Sequence, residues 1–217
     1  MNSFPNAPRL LRGGVVLLDP VTSLVTRVVA LQYNPDSISR TLQLQAVAGD
    51  QPDRLEALRL KAPAIETIKL DAEIDATDQL EVDDPIAMQY GIEPQLATLE
   101  TMLYPSSGQL LANNILAQQG TLEIVPMEAP LPLFIWSATR IVPVRITEFS
   151  VTEEAFDQNL NPIRAKVSLG MRVLSVYDLG FDTAGGNIFI AYQQQKERFA
   201  AIAQSASLGT LGVGAIP

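Results

Sequence analysis

The chain has 217 residues, and its 15 Lys and Arg against 24 Asp and Glu give a net charge of −9, which opposes binding to a nucleic-acid backbone. It contains no Cys and no His, which excludes disulfides, thiolate metal sites, cysteine nucleophiles, histidine bases and every Ser-His-Asp arrangement. Hydrophobic residues make up 47% and charged residues only 18%: enough for a real core, and few charges for a surface that no partner covers.

Residues 1–13 read as a loose lead. Within them no apolar signal-peptide core occurs, and nowhere does a run approach the roughly 18 apolar residues of a membrane span. Synthesis and assembly in a cytoplasm, without a membrane, are therefore expected. Residues 14–18 form a buried-strand candidate ended by Asp19-Pro20, and 24–33 form another, closed by the turn-rich Asn34-Pro35-Asp36-Ser37. In 38–46 the strand period resumes, with Leu42, Leu44 and Ala46 alternating against Thr41, Gln43 and Gln45. Residues 49–61 fit a short helical turn or a loop equally well.

Residues 65–75 alternate cleanly. Ile68, Leu70, Ala72 and Ile74 share one face, and Lys69, Asp71, Glu73 and Asp75 share the other. An acidic loop is expected over 76–85. A helix follows over 93–103, with Pro94 in its first turn and Ile92, Leu96, Leu99 and Leu103 as its apolar stripe, stopped by Pro105-Ser106-Ser107-Gly108. A further short helix is expected over 110–119, then strands over 120–125 and 131–136 separated by a Pro-rich link.

The organising stretch is 134–173. On its return leg Ile163, Ala165, Val167, Leu169, Met171 and Val173 share one side, while Arg164, Lys166, Ser168 and Arg172 share the other. The Asp, Asn and Pro of 156–162 supply a turn, so the unit reads as a long antiparallel hairpin. On the outgoing leg Val144 and Ile146 are in step, but Phe149 and Val151 are one residue out; a bulge near Thr147 and Glu148 accounts for the slip. Beyond it, 175–187 reads as irregular. Residues 188–203 read as an amphipathic helix on Ile188, Tyr192, Phe199 and Ile202, and 205–217 as a small, uncharged tail that is flexible or ordered only by a neighbour. The expected division is a lead (1–13), a β domain (14–176), and a linker, helix and tail (177–217).

No constellation of residues announces chemistry. The carboxylates Asp71, Glu73, Asp75, Asp78, Glu81, Asp83 and Asp84 could hold Mg2+ or Ca2+, or act as an acid/base pair. Their spacing fits no calcium loop, however, and the first three occupy the wet side of a strand, so a solvated or partner-facing surface is the expected reading. Gly13-Gly14 and Gly185-Gly186 lack a strand-Gly-helix context with a Lys and read as turns, not as phosphate loops. Trp136 beside Phe134 reads as core. The polar side of the last helix (Gln193, Gln194, Lys196, Glu197, Arg198) is not basic enough for a membrane surface.

The order of motifs carries a resemblance. A strand ends in Tyr33-Asn34-Pro35-Asp36-Ser37. A later strand runs Glu66-Thr67-Ile68-Lys69-Leu70-Asp71-Ala72-Glu73-Ile74-Asp75, and an amphipathic helix follows it. Then come Pro130-Leu131-Pro132-Leu133-Phe134-Ile135-Trp136 and a hairpin turn from Phe156 through Pro162-Ile163-Arg164-Ala165 to Val167. This resembles the tube-like, tube-initiator proteins of contractile injection-system baseplates, which are related to phage tail tubes. The resemblance spans about 14–175. It implies a mainly β fold, a small barrel or sandwich of antiparallel strands with a flanking helix, to which the chain adds its C-terminal helix.

It also implies a hexameric ring joining a spike or hub and baseplate proteins to an inner tube, with no catalytic residue, cofactor or metal. The family's carboxy-terminal LysM module has no counterpart after Ser175, which puts the usual outer-baseplate contact in doubt. Candidate interface residues are Phe149, Val151, Arg164 and Lys166 on the hairpin, with Tyr192 and Phe199 on the last helix. The competing expectation is a metal-dependent hydrolase built on the 71–84 acids; a weaker third is a monomeric ligand-binding β-sandwich.

Overall fold

The alternation in the sequence is realised as strands that bury one side each. The structure, a computed structural model, describes residues 11–19, 22–46, 59–118, 129–203 and 210. In chain order they form β1 (Gly14–Leu18), β2 (Val25–Ala30), β3 (Ile38–Ala46), β4 (Leu60–Asp75), α1 (Thr77–Glu81), α2 (Pro85–Tyr90), α3 (Glu93–Glu100) and α4 (Ser107–Gln118). The second half holds β5 (Leu131–Ser137), β6 (Arg140–Phe156), β7 (Pro162–Val173), α5 (Val176–Leu179) and α6 (Ala184–Ile202). The strands make a 7-stranded sheet in the order β2-β1-β5-β6-β7-β4-β3. Every pairing is antiparallel. The fold is mainly β with flanking helices, as expected.

β6 is the spine of that sheet. Its first residues pair with β5, and from Val144 onward it pairs with β7. The register shifts between Ile146 and Glu148, leaving Thr147 as the extra residue. Because the side-chain period is two, one inserted residue returns the apolar set to the same side. Val144, Ile146, Phe149 and Val151 accordingly stand opposite Val173, Met171, Leu169 and Val167.

The main core gathers Val15 and Leu17 of β1, Ile68, Leu70 and Ala72 of β4, Phe134 of β5, Val142 and Val144 of β6, and Leu169, Met171 and Val173 of β7. Residues from both halves of the sheet meet in this one cluster, so the sheet is folded over its own core. The side chain of Gln32, just past β2, reinforces the fold-over. Its carboxamide donates to the Asp75 carbonyl at 2.6 Å and accepts from the Asp75 N–H at 3.0 Å, as a neighbouring strand would. A second cluster forms where Ile92, Leu96 and Leu99 at α3 pack on Ile74, Ala165 and Val167. There the backbone is tight. Gly91 has φ +57°, and a Cβ on it would lie 2.1 Å from the Pro162 carbonyl oxygen, which accepts the Ile92 N–H at 2.9 Å.

Several expectations are corrected. The strand predicted over 65–75 starts at Leu60, absorbing the end of the segment read as loop or helical turn. The acidic loop over 76–85 holds α1 and the start of α2, because the Asp84 carboxylate caps α2 by accepting the Ile86 and Ala87 N–H groups. α3 stops at Glu100, and Leu103 is exposed beyond its stripe. Gly14 lies within β1, and Gly185 and Gly186 lie in the first turn of α6, so neither pair is a turn. The segment predicted irregular over 175–187 holds α5, opened by a Ser175–Asp178 capping box, and the start of α6, capped by Thr183. Phe189 and Tyr192 of α6 belong to the main core. The readings for 1–10, 49–58, 120–125 and most of 205–217 fall outside the described residues.

Candidate assembly interface

The wet side of β4, β7 and β6 is a charge ladder built by cross-strand register. Asp75, Arg164 and Glu154 form one rung; Glu73, Lys166 and Thr152 the next; Asp71, Ser168 and Ser150 a third; Lys69, Gly170 and Glu148 a fourth. Opposite charges close across the rungs. Arg164 pairs with Asp75 at 2.7 Å, Lys166 with Glu154 at 3.3 Å, and Lys69 with Glu148 at 2.6 Å across Gly170. The Ser168 hydroxyl donates to Asp71 at 2.5 Å. Partial burial pushes the Asp75 carboxyl up, but the Thr77 hydroxyl and N–H together with Arg164 outweigh it and hold the group below its usual 3.8.

Three of the seven acids singled out in the sequence, Asp71, Asp75 and Asp84, have structural partners. Asp71 and Asp75 are engaged on the ladder, Asp78 lies in the first turn of α1, and Asp84 caps α2. Among the described residues no group of three or more acids is placed to share a metal ion. A surface groove of about 680 Å3 beside the ladder is lined by Asp36, Asp71, Glu73, Thr152, Lys166 and Ser168. It brings Lys166 among carboxylates and holds the Ser168 hydroxyl on Asp71, with no histidine to serve as a base. Trp136 is half-buried against the main core, with its ring 6.3 Å from that of Phe134.

The candidate interface residues fall into three groups. Arg164 and Lys166 are exposed on the ladder, each already ion-paired within the chain. Phe149 and Val151 point inward and pack against the core clusters. On α6, Tyr192 is buried at 6% exposure while Phe199 stands out at 51%. The helical spacing that linked Tyr192 to Phe199 is real, but the sheet ends under the first half of α6 and leaves the second half uncovered.

Tyr192 belongs to the one buried ionic cluster among the described residues. Glu66, 4% exposed, sits on the core side of β4 and accepts from Arg40 Nε at 2.7 Å, Lys196 Nζ at 2.8 Å and the Tyr192 hydroxyl at 3.0 Å. Arg40 Nη2 also donates to the Tyr192 hydroxyl, and Lys196 lies 4.1 Å above the Tyr192 ring. Burial raises the Glu66 carboxyl, yet Lys196 and Arg40 together hold it below its ordinary 4.5. Burial and the Glu66 charge push the Tyr192 phenol up to about 12. This cluster clamps α6 to the β3–β4 pair.

The surfaces that sequence reasoning missed are the two outer strands and α4. β2 exposes Val25 and Val28, and β3 exposes Leu42 and Leu44. α4 buries no residue and presents Leu110, Leu111, Ile115 and Leu116 to solvent. The signal was available in the alternation of Leu42 and Leu44 and in the uncharged composition of α4. What periodicity could not supply was that no described part of the chain covers those sides.

No family model matches the chain, and no curated protein matches it. Among solved structures, eight chains match. One is titled as the tail of an empty GTA particle computed with helical refinement and C6 symmetry; it is 14% identical, covers 75% of this chain and 90% of that chain, and superposes with a TM-score of 0.28. A superposition that loose carries no argument about what this chain does.

Proposed function

We propose that the chain is a structural, self-associating subunit, with its work done by assembly and not by chemistry. The observation that carries this is the open sheet. Both outer strands, β2 and β3, present apolar side chains to solvent, and α4 adds an uncharged apolar side. Exposed strand edges and apolar patches of this extent are liabilities in a lone molecule and docking surfaces in a repeated one. The three cations of the charge ladder are each ion-paired within the chain, so it suits a wetted surface.

The finer reading follows the motif order described above. The chain is a ring subunit, hexameric by that resemblance, in a contractile injection system or phage-tail-like particle, placed between the spike or baseplate and the inner tube. Its partners are further copies of itself, the inner-tube protein, and spike, hub and baseplate proteins. The test is a mass distribution across protein concentrations, followed by imaging of whatever forms. Closed rings support the reading; a chain that stays single at every concentration and in the presence of a tube or spike template overturns it.

A further inference from the structure

The tip of the β6–β7 hairpin is built to hold a leucine in solvent. Asp157 organises it. Its carboxylate accepts the Asn159 N–H at 2.7 Å, the Asn161 N–H at 2.8 Å and the Asn161 carboxamide at 2.8 Å, while its backbone carbonyl accepts the Leu160 N–H. The Asn161 carboxamide also donates to the Gln89 carbonyl, which ties the tip to α2. In that frame Leu160 has φ +67°, a left-handed backbone that bulky L residues rarely adopt, and its side chain is 80% exposed. Phe156, at the end of β6, is half-exposed. Packing within the chain does not account for a leucine there, and glycine would serve the turn with less strain. Strain kept at an exposed apolar residue is expected where a partner uses it.

At the base of the same hairpin lies a groove of about 610 Å3, with Met102, Leu103, Leu131, Val144, Ile146 and Leu179 as its apolar lining. That volume falls within the roughly 300–1,000 Å3 of sites that enclose a ligand, so a leucine and a phenylalanine side chain fit. Of the charged residues at the groove, Asp178 is paired with Arg172, and Asp19 accepts from the Thr22 N–H and hydroxyl. Arg145 is exposed and makes no ion pair among the described residues.

We propose that the hairpin tip of one copy seats Leu160 and Phe156 in this groove of the next copy, with Asp157 facing Arg145. From Arg145 to Phe156, β6 runs eleven residues, about 36 Å at about 3.3 Å each, so a copy cannot fill its own groove. Tip and groove are both apolar at their centres, and the Asp157 carboxylate complements the Arg145 cation. Because tip and groove are different surfaces, the contact is head-to-tail. Such a contact repeats from copy to copy, closing into a ring or running on as a filament. The inference rests on the self-associating reading above and adds to the strand and α4 surfaces the contact that gives assembly a direction.

The chain contains no cysteine, so introduced ones report single contacts. Under mild oxidation, Leu160→Cys protein mixed with Leu103→Cys protein should form an intermolecular disulfide. It should form about tenfold or more faster than in a mixture of Leu160→Cys with Gln193→Cys, whose cysteine lies on α6 outside the groove lining. A Leu160→Gly variant should still fold, since glycine adopts the left-handed turn readily. Its concentration for half-association should rise about tenfold or more, as for the loss of an interface anchor. Equal association of parent and Leu160→Gly, or no preference for the groove cysteine, overturns this contact and leaves assembly through other surfaces standing. A parent chain that stays single at every concentration and with a tube or spike template overturns both.

Discussion

Replacing Glu66 by Gln keeps the shape of the side chain and removes its charge at the point where α6 is held to the sheet. Three donors converge on this carboxylate, two of them cationic, and the carboxylate itself is nearly inaccessible to water. Each hydrogen bond to a charged group contributes about 1.5–3 kcal/mol, but the substituted carboxamide would retain one acceptor oxygen and no longer require desolvation of a charge. The Arg40 and Lys196 side chains, 29% and 33% exposed, can also recover hydration. Balancing these effects leaves a net loss of about 2 kcal/mol, or a fall in Tm of about 4–8 °C for a chain of this size.

Urea unfolding followed by the fluorescence of Trp136, with exchange of the α6 amides as the local readout, measures it. The carboxyl is held below its ordinary 4.5 in the folded state, so its contribution is complete above the unfolded pKa and is lost as pH falls through the folded one. The parent should therefore lose more stability than Glu66→Gln on acidification below about pH 4.5. A variant within about 0.5 kcal/mol of the parent, with unchanged α6 exchange and the same acid slope, would refute the claim that this cluster anchors the helix.

Gly91→Ala should cost about 2–4 kcal/mol and loosen the α2–α3 junction against the hairpin turn, because the added Cβ meets the Pro162 carbonyl at a positive φ; differential scanning calorimetry and exchange at Ile92 report it. The phenol of Tyr192 should resist ionisation until about pH 12 in the parent and titrate nearer its ordinary 10 in Glu66→Gln, as read by tyrosinate absorbance. Asp75→Ala should lose the hydrogen bonds from the Thr77 N–H and hydroxyl and the Arg164 pair, costing about 1–2 kcal/mol. Calorimetric titration of the parent should show no Mg2+ or Ca2+ binding for that change to abolish; a site of micromolar affinity there would revive the hydrolase reading. Leu42→Glu with Val28→Lys should weaken self-association while shifting stability by less than about 0.5 kcal/mol, since both side chains are already in solvent.

Much of the sheet was legible because strand faces leave a period-two record wherever one side is buried. β4 and β7 follow that record, and the bulge in β6 announced itself as a one-residue slip between Ile146 and Phe149. The helical segments within 76–90 and 175–187 were missed because they are only a turn or two long. Their starts are set by single capping contacts at Asp84, Ser175 and Thr183, which hydrophobic periodicity does not register. Among the candidate interface residues, Tyr192 and Phe199 share a helical stripe yet have opposite environments, since a stripe states which residues align and not how far the opposing surface extends.

The amino-acid sequence by itself determined the antiparallel ribbon, its two-sidedness, and the absence of cysteine and histidine chemistry, because those depend on local alternation and on residue identity. Only the tertiary structure decided that Glu66 lies inside with Arg40, Tyr192 and Lys196, that Asp71 and Asp75 are engaged across the sheet while Asp84 caps α2, and that β2, β3 and α4 present apolar sides to solvent. Those outcomes depend on which distant segments meet across 26 to 130 residues of intervening chain. Contacts at such separations are fixed by how the sheet folds over its core, and no local pattern encodes them.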